Sequence, residues 1–134
     1  MNREKVVKKI QHLINKEPDV IFAYLFGSVA TGNNRKDSDV DIAVYFSPEL
    51  DKLERFDLRL KLADQLAVTL SSDVDLVDII SAPLSLRHQI MREGILISER
   101  CKSERVSFEV YSRREYFDFV RYLYRRTNAM INKL

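Results

Sequence analysis

The spacing of hydrophobic residues changes along this chain, and the changes predict an alternation of helices and strands. Over residues 2–16 apolar side chains recur at helical spacing, which predicts a helix that Asn2 caps and that ends before Pro18. Two continuous apolar runs follow, VIFAYLF (Val20–Phe26) and VDIAVYF (Val40–Phe46). Both runs are typical of buried strands.

The segment 47–72 returns to helical spacing, and we predict a helix there with Pro48 in its first turn. The predicted apolar stripe of this helix consists of Leu53, Phe56, Leu60, Ala63, Leu66 and Ala67. The run DVDLVDII (Asp73–Ile80) then predicts a third strand.

The last third of the chain predicts two more helices. Ser81 is the expected cap of the first, with Pro83 near its start and Gly94 just past its end. Ile95–Ser98 predicts a short strand or extended segment, and one long aromatic helix follows over about 103–132. The order α-β-β-α-β-α-(β)-α predicts an α+β or α/β fold with a small mixed sheet packed against helices.

The overall composition is that of an ordinary soluble domain, with 46% hydrophobic and 31% charged residues. We expect a single domain over residues 1–134, with a core over about 1–98 and the C-terminal helix beyond it. The net charge of +2 gives no general argument for nucleic-acid binding. Cys101 is the only cysteine, which excludes an internal disulfide and favours a reduced, cytoplasmic setting. We expect no signal peptide or membrane span.

Two acids stand at the start of the second predicted strand. Alternate side chains of a strand share a face, so Asp39 and Asp41 point the same way as Ala43 and Tyr45. The opposite face is fully apolar and must be the core face: Val40, Ile42, Val44 and Phe46. Two neighbouring carboxylates repel one another, and a hard cation such as Mg²⁺ or Mn²⁺ relieves the repulsion.

The third strand supplies a further acid. Its register places Asp75 on the same open face as the acid pair, while Asp78 falls on the core face near the exposed end of the strand. Three converging carboxylates can hold two metal ions for a displacement at phosphorus. Asp75 is the best candidate for the third carboxylate, with Asp73 and Asp78 as alternatives.

The first strand ends at Gly27-Ser28, a pair that allows a ligand to approach the backbone closely. The sequence SVATG predicts a short helical turn that Gly32 closes, with its N-terminus directed at phosphate oxygens. A lone acid pair or Gly-Ser pair is usually part of a solvated loop. All four residues at this spacing are expected by chance in roughly one in a thousand chains of this length.

Gly27-Ser28, ten intervening residues and then Asp39-Val40-Asp41 resemble the signature of the polymerase-β-like nucleotidyltransferase superfamily. The similarity covers about residues 20–80, and the chain looks most like the minimal nucleotidyltransferases, small prokaryotic proteins often encoded beside a HEPN-domain protein. In that family the HEPN protein is an RNase toxin. The nucleotidyltransferase is the antitoxin of a type VII toxin–antitoxin system and can transfer AMP from ATP to a toxin tyrosine.

The resemblance implies a role for each residue of the signature. Gly27 and Ser28 would bind the nucleotide phosphates of ATP, and Asp39, Asp41 and Asp75 would be the catalytic, metal-binding acids, with two Mg²⁺ ions (Mn²⁺ being the alternative). It also implies a HEPN toxin as partner, which suits a chain with no separate acceptor domain. Two alternatives remain open: an antitoxin that acts by binding alone, and a nucleotidyltransferase acting on a small molecule or RNA.

The C-terminal segment is aromatic and basic. We expect its core-facing side to be Val106, Val110, Phe117, Val120 and Tyr124. The residues left on other faces are Phe108, Tyr111, Phe119 and Tyr122, which suggests a partner or self-association surface, or else a helix wrapped by its own domain. RNA binding by interleaved Arg and Tyr is the weaker interpretation.

Four other residues are assigned no part in the chemistry. His12 and His88 have no nucleophile or ligand nearby in sequence, so we interpret both as structural or surface residues. Arg35 and Lys36 are interpreted as exposed loop charges, with contact to phosphate or a partner as the alternative.

Overall fold

The structure, a computed structural model, describes residues 2–32 and 39–133. Within them, four strands form one mixed sheet in the order β3-β2-β1-β4. The strands are β1 (Val20–Phe26), β2 (Val40–Phe46), β3 (Val74–Asp78) and β4 (Ile95–Glu99). β1 lies antiparallel to both β2 and β4, while β2 and β3 are parallel. The mixed sheet, including the fourth strand, is as predicted.

Five helices accompany the sheet in the described part of the chain: α1 (Arg3–Ile14), α2 (Gly27–Thr31), α3 (Lys52–Leu70), α4 (Leu84–Glu93) and α5 (Lys102–Asn132). Asn2 caps α1 as predicted, since its side chain accepts a hydrogen bond from the Glu4 backbone N–H at 2.9 Å. None of these helices combines the length and hydropathy needed to cross a membrane.

One side of the sheet, which we call the α1/α3 face, carries the larger apolar core. Helices α1 and α3 pack there against alternate residues of every strand. The β2 residues that point to it are all fully buried, as predicted: Val40, Ile42, Val44 and Phe46. The apolar side of β2 is therefore fixed by its period-two pattern.

The other side, which we call the α4/α5 face, is smaller and more aromatic. Phe22 stacks on Tyr45 with 4.5 Å between ring centroids, and Phe108 of α5 packs against both rings. The sequence left this face of β2 open, but Ala43 is fully buried on it. Asp41, where the strand begins, and Tyr45, near its end, are only half-buried on this face.

The apolar stripe predicted for α3 is wrong in its first half. Leu53, Phe56 and Leu60 are 69%, 48% and 46% exposed. The buried positions are Leu62, Leu66 and Leu70, with Leu58 and Ala63 partly buried beside them. Apolar residues occur on two sides of this helix, so the pattern admitted two phases, and packing against β3 selects the second.

Two predicted helix starts are also wrong. Pro48 precedes α3, whose cap is Asp51: its side chain accepts from the Glu54 backbone N–H at 2.8 Å in a capping box. Helix α4 starts after Pro83, not at a Ser81 cap, because proline sets an extended backbone at the position before the first turn. Gly94 follows the end of α4 as predicted.

Helix α5 faces the sheet with a different side from the one expected. All five residues predicted to face the core are at least 37% exposed: Val106, Val110, Phe117, Val120 and Tyr124. The inward positions are spaced one turn apart: Phe108, Ser112 and Tyr116. The Tyr116 ring stacks on the His88 ring of α4 with 3.9 Å between ring centroids. Aromatic residues surround this helix, so periodicity alone does not select one side. The structural interpretation of His88 fits this contact.

Candidate functional site

The acids gather at one edge of the sheet because of how the strands pair. β1 ends where β2 begins, and Phe26 lies opposite Asp41 in the antiparallel ladder. β3 runs parallel to β2 in a register that sets Asp75 directly beside Asp41. Asp39 is exposed just before β2. The structure thus brings together the three acids that the sequence singled out, on the open end of the α4/α5 face.

The Gly27-Ser28 turn closes the site on the side of β1. Gly27 has a φ of +74°, and a Cβ atom at this position would lie 2.2 Å from Oδ2 of Asp41. The left-handed backbone conformation favours glycine, and a side chain here would also displace the Asp41 carboxylate. Helix α2 begins at Gly27 and ends at Gly32, which has a φ of +79° and is the left-handed cap that the sequence predicts.

The charges of the three acids oppose one another. Burial raises the pKa of Asp41 above its ordinary value, and the neighbouring carboxylates of Asp75 and then Asp39 raise it further. Such a cluster favours a positively charged ligand, and oxygen-only donors suit a hard divalent cation. As placed, no three acidic, histidine or cysteine side chains of residues 2–32 and 39–133 form a ready set of metal ligands. Asp39 and Asp75 are exposed, so their side chains have room to turn.

The two alternative acids occupy different environments. Asp78 is the last residue of β3, as expected, but its side chain is only 12% exposed and accepts a hydrogen bond from Nε of Arg55 at 2.9 Å. This ion pair faces α3, away from Asp41. Asp73 is exposed and precedes β3, which spans Val74–Asp78 instead of the predicted Asp73–Ile80. Asp75 alone lies in register with Asp41.

A cavity that the sequence pattern did not predict adjoins the site. A cavity of about 700 Å³ follows β3 and reaches Asp75. Its walls include Leu53 and Phe56 of α3, two of the three residues of that helix misassigned to the core. Their poor fit to the period of Leu62, Leu66 and Leu70 was the available signal. Arg35 and Lys36 lie outside the described residues.

The chain matches the family "Polymerase beta, Nucleotidyltransferase" over residues 8–103. This match covers well over half of the sequence and includes every residue of the site. The chain therefore belongs to this nucleotidyltransferase family.

Individual relatives narrow the comparison. The protein adenylyltransferase MntA of Shewanella oneidensis is 39% identical over 94 residues, which make up 70% of this chain and 63% of that protein. The chain thus matches less than two thirds of the length of this relative. A chain of a toxin–antitoxin complex with AMP-PNP superposes with a TM-score of 0.67 at 32% identity, covering 99% of this chain and 98% of that one.

A second solved complex contains a tri-AMPylated HEPN toxin of Shewanella oneidensis with its minimal nucleotidyltransferase antitoxin. It matches with a TM-score of 0.65 at 28% identity, covering 98% of both chains. The family and fold predicted from the sequence are confirmed by these comparisons together with the observed sheet.

Proposed function

We propose that this protein is an adenylyltransferase that moves AMP from ATP to a tyrosine hydroxyl of a HEPN-type RNase toxin and thereby acts as its antitoxin. The observation that carries the proposal is the pairing of Asp41 with Asp75 beside the Gly27 turn. The relatives support it: MntA is a protein adenylyltransferase, and the HEPN toxin of the similar complex is AMPylated.

The nucleotide is assigned to the β1 side of the acids. Gly27 and Ser28 open helix α2, whose first backbone N–H groups have no partners within the helix and can bind phosphate oxygens. The absence of a side chain at Gly27 leaves the backbone accessible at the point where it meets Asp41. AMP-PNP in the similar complex agrees with ATP as the substrate.

Asp39, Asp41 and Asp75 are the residues that would hold two Mg²⁺ ions, with Mn²⁺ as the alternative. When bound, such ions neutralise charge on the phosphates and on the leaving diphosphate. The donor set fits, because all three groups are carboxylates, and burial together with their mutual repulsion raises the pKa of Asp41. The proposal requires the exposed side chains of Asp39 and Asp75 to rotate toward the ions.

Asp75 is assigned to the acceptor because it lies on β3, farther from the Gly27 turn than Asp41 is. In the proposed reaction the tyrosine oxygen forms a bond to the α-phosphorus of ATP. The bond from that phosphorus to the oxygen bridging to the β-phosphate breaks, and diphosphate leaves. The hydroxyl proton passes to the Asp75 carboxylate.

The exposed part of α5 is the proposed contact with the toxin or with a second copy. Beyond Tyr116 nearly every residue of this helix that the structure describes is exposed, including Phe117, Tyr122 and Tyr124 at 54%, 55% and 68%. A helix with this much exposed apolar surface is typical of an interaction surface.

The test is transfer of label from α-³²P-ATP to the HEPN-type toxin that the proposal names as its partner, with Mg²⁺ present. We expect label on that protein with wild type and loss of label with the double variant Asp39→Asn/Asp41→Asn. Absence of label with wild type, or equal label with the double variant, would show that the protein does not work this way. If the double variant transfers no label but still protects cells fully, the antitoxin acts by binding alone.

A further inference from the structure

The cavity beside Asp75 runs along the outer edge of β3. It lies between the first half of α3 and the start of α4, so it contacts both sides of the strand. Leu53, Phe56, Pro83 and Leu86 supply apolar walls, and Leu53 and Phe56 remain 69% and 48% exposed. An open groove of about 700 Å³ with apolar walls and one acid of the proposed site is suited to a ligand that reacts there.

The floor of the groove is an unpaired strand edge. In the described sheet β3 has β2 as its only neighbour. The Asp73 carbonyl accepts from the Val40 N–H at 2.9 Å and the Ile79 N–H donates to the Val44 carbonyl at 3.0 Å, so odd-numbered residues direct their backbone groups to β2. Even-numbered residues direct theirs outward. Two outward carbonyls already accept hydrogen bonds: that of Leu76 from Nη1 of Arg59 at 3.4 Å, and that of Asp78 from the Ser81 N–H at 3.1 Å. An added strand would displace the Arg59 contact.

An outward row of backbone groups is the recognition element for an extended peptide. Such a peptide hydrogen-bonds to the edge with its own backbone and places alternate side chains in pockets on either side. The groove has this form, because apolar side chains stand on both sides of β3. A nucleotide base is too short to pair along the whole row, whereas an extended peptide follows it.

The order of the strands assigns the two ligands to different sides of the acids. The Gly27 turn follows β1, Asp41 lies on β2, and Asp75 lies on β3. A nucleotide bound at the turn approaches Asp41 from the β1 side. The β3 edge therefore remains for the acceptor.

We propose that the β3 groove binds an extended segment of the acceptor protein, which adds to the edge of β3 as a further strand and carries its hydroxyl to Asp75. This inference rests on the proposed function, since it names where that reaction receives its acceptor. Lys52 and Arg59 line the groove, while the acid of Asp78 is already paired with Arg55. The segment is therefore one that combines apolar residues with at least one acidic residue, which lies opposite Lys52 or Arg59 and not beside Asp75.

The first test separates acceptor binding from nucleotide binding by kinetics. Leu53→Gln should raise the KM for the HEPN-type acceptor protein at least fivefold and leave the KM for ATP within twofold of wild type. Val68→Gln is the matched control, because Val68 is 81% exposed on the same helix and lies outside the groove. If Leu53→Gln and Phe56→Ser both behave like Val68→Gln while remaining folded, the proposal is overturned.

The second test measures docking without chemistry. Hydrogen exchange at β3 is followed on addition of the same HEPN-domain protein to the Asp39→Asn/Asp41→Asn variant. We expect slower exchange of the outward Leu76 amide, by tenfold or more. Unchanged exchange at that amide together with a firm complex would contradict edge binding.

The two proposals fail in different ways. If wild type transfers no AMP but β3 is protected on binding, the proposed activity is wrong and the groove assignment stands. If AMP is transferred while β3 exchange and the acceptor KM of Leu53→Gln are unchanged, the activity stands and the groove assignment is wrong. If neither AMP transfer nor any effect at the β3 groove is observed, both proposals are overturned.

Discussion

The two faces of the sheet divide the work of this protein between them. The α1/α3 face buries aliphatic side chains from all four strands against two helices, and its β2 positions are fully buried from end to end. The α4/α5 face has an aromatic core under the first turns of α5 but leaves the start of β2 and β3 open, where Asp41 and Asp75 lie. Because side chains alternate along a strand, one segment can pack a core on one face and carry the acids on the other.

This difference teaches that the acids are tolerated because the opposite face supports them. Burial and like charge raise the pKa of Asp41, so its carboxylate weakens the folded state at neutral pH. The same strand carries Val40 and Ile42, both fully buried on the other side. Stability and proposed chemistry are therefore separable by substitutions on the two faces.

The largest expected effect compares two acids of β3 that point to opposite faces. Asp75→Asn should lower AMP transfer by roughly 10²–10⁴-fold, the usual contribution of a proton acceptor, and leave stability nearly unchanged. Asp78→Asn should retain transfer within about tenfold but cost about 1–3 kcal/mol of unfolding free energy, since it weakens the buried pair with Arg55. Transfer assays and urea denaturation check this pair of results, and reversed effects would exchange the assignments.

A second comparison tests the core of the α1/α3 face. Leu66 is fully buried on α3, whereas Leu60 on the same helix is 46% exposed. Leu66→Ala should cost about 2–5 kcal/mol, while Leu60→Ala should cost under about 1 kcal/mol. Equal losses in thermal or urea unfolding would mean that the packing side of α3 is the one predicted from the sequence.

A third comparison concerns how α5 is held on the α4/α5 face. The Tyr24 hydroxyl, buried in the sheet, hydrogen-bonds to Glu109 of α5, and burial and this carboxylate raise the pKa of Tyr24 above its usual range. Glu109 also pairs with Arg105 at 3.0 Å. Tyr24→Phe should therefore cost about 1 kcal/mol, measured by urea denaturation, with transfer retained. A loss as large as that of Leu66→Ala would make this contact an unexpected main support of the fold.

Strand register was predictable from the sequence, whereas helix phase was not. The first residues of β2 alternate between apolar and acidic, so the core face, the side of the acid pair and the placement of Asp75 on that side followed from the pattern. The burial of Ala43 on the acid side did not. Helices α3 and α5 carry apolar residues on more than one side, and tertiary contacts chose the side. The groove was missed because the predicted stripe includes Leu53 and Phe56, which do not keep the period of Leu62, Leu66 and Leu70. The metal-binding and catalytic roles of the acids, and the division into one domain, stay predictions.

The smallest expected effect is a gain in stability at the proposed active site. Because the folded-state pKa of Asp41 is raised, its charge destabilises the fold above that pKa, and the penalty disappears as the pH falls and the group is protonated. Asp41→Asn, in the presence of a chelator, should raise the Tm at pH 7 by roughly 1–3 °C, the shift that about 0.5 kcal/mol produces in a domain of this size.

The difference should shrink as the pH falls below the raised pKa, which calorimetry at several pH values can follow. Asp64→Asn is the control, because Asp64 is exposed on α3 away from the acids and should change the Tm little at any pH. A lower Tm for Asp41→Asn at pH 7 would mean that the Asp41 carboxylate makes a stabilising contact with the backbone at Gly27. Asp41 would then stabilise the fold from the α4/α5 face. Stability and the proposed chemistry would not be separable at this residue.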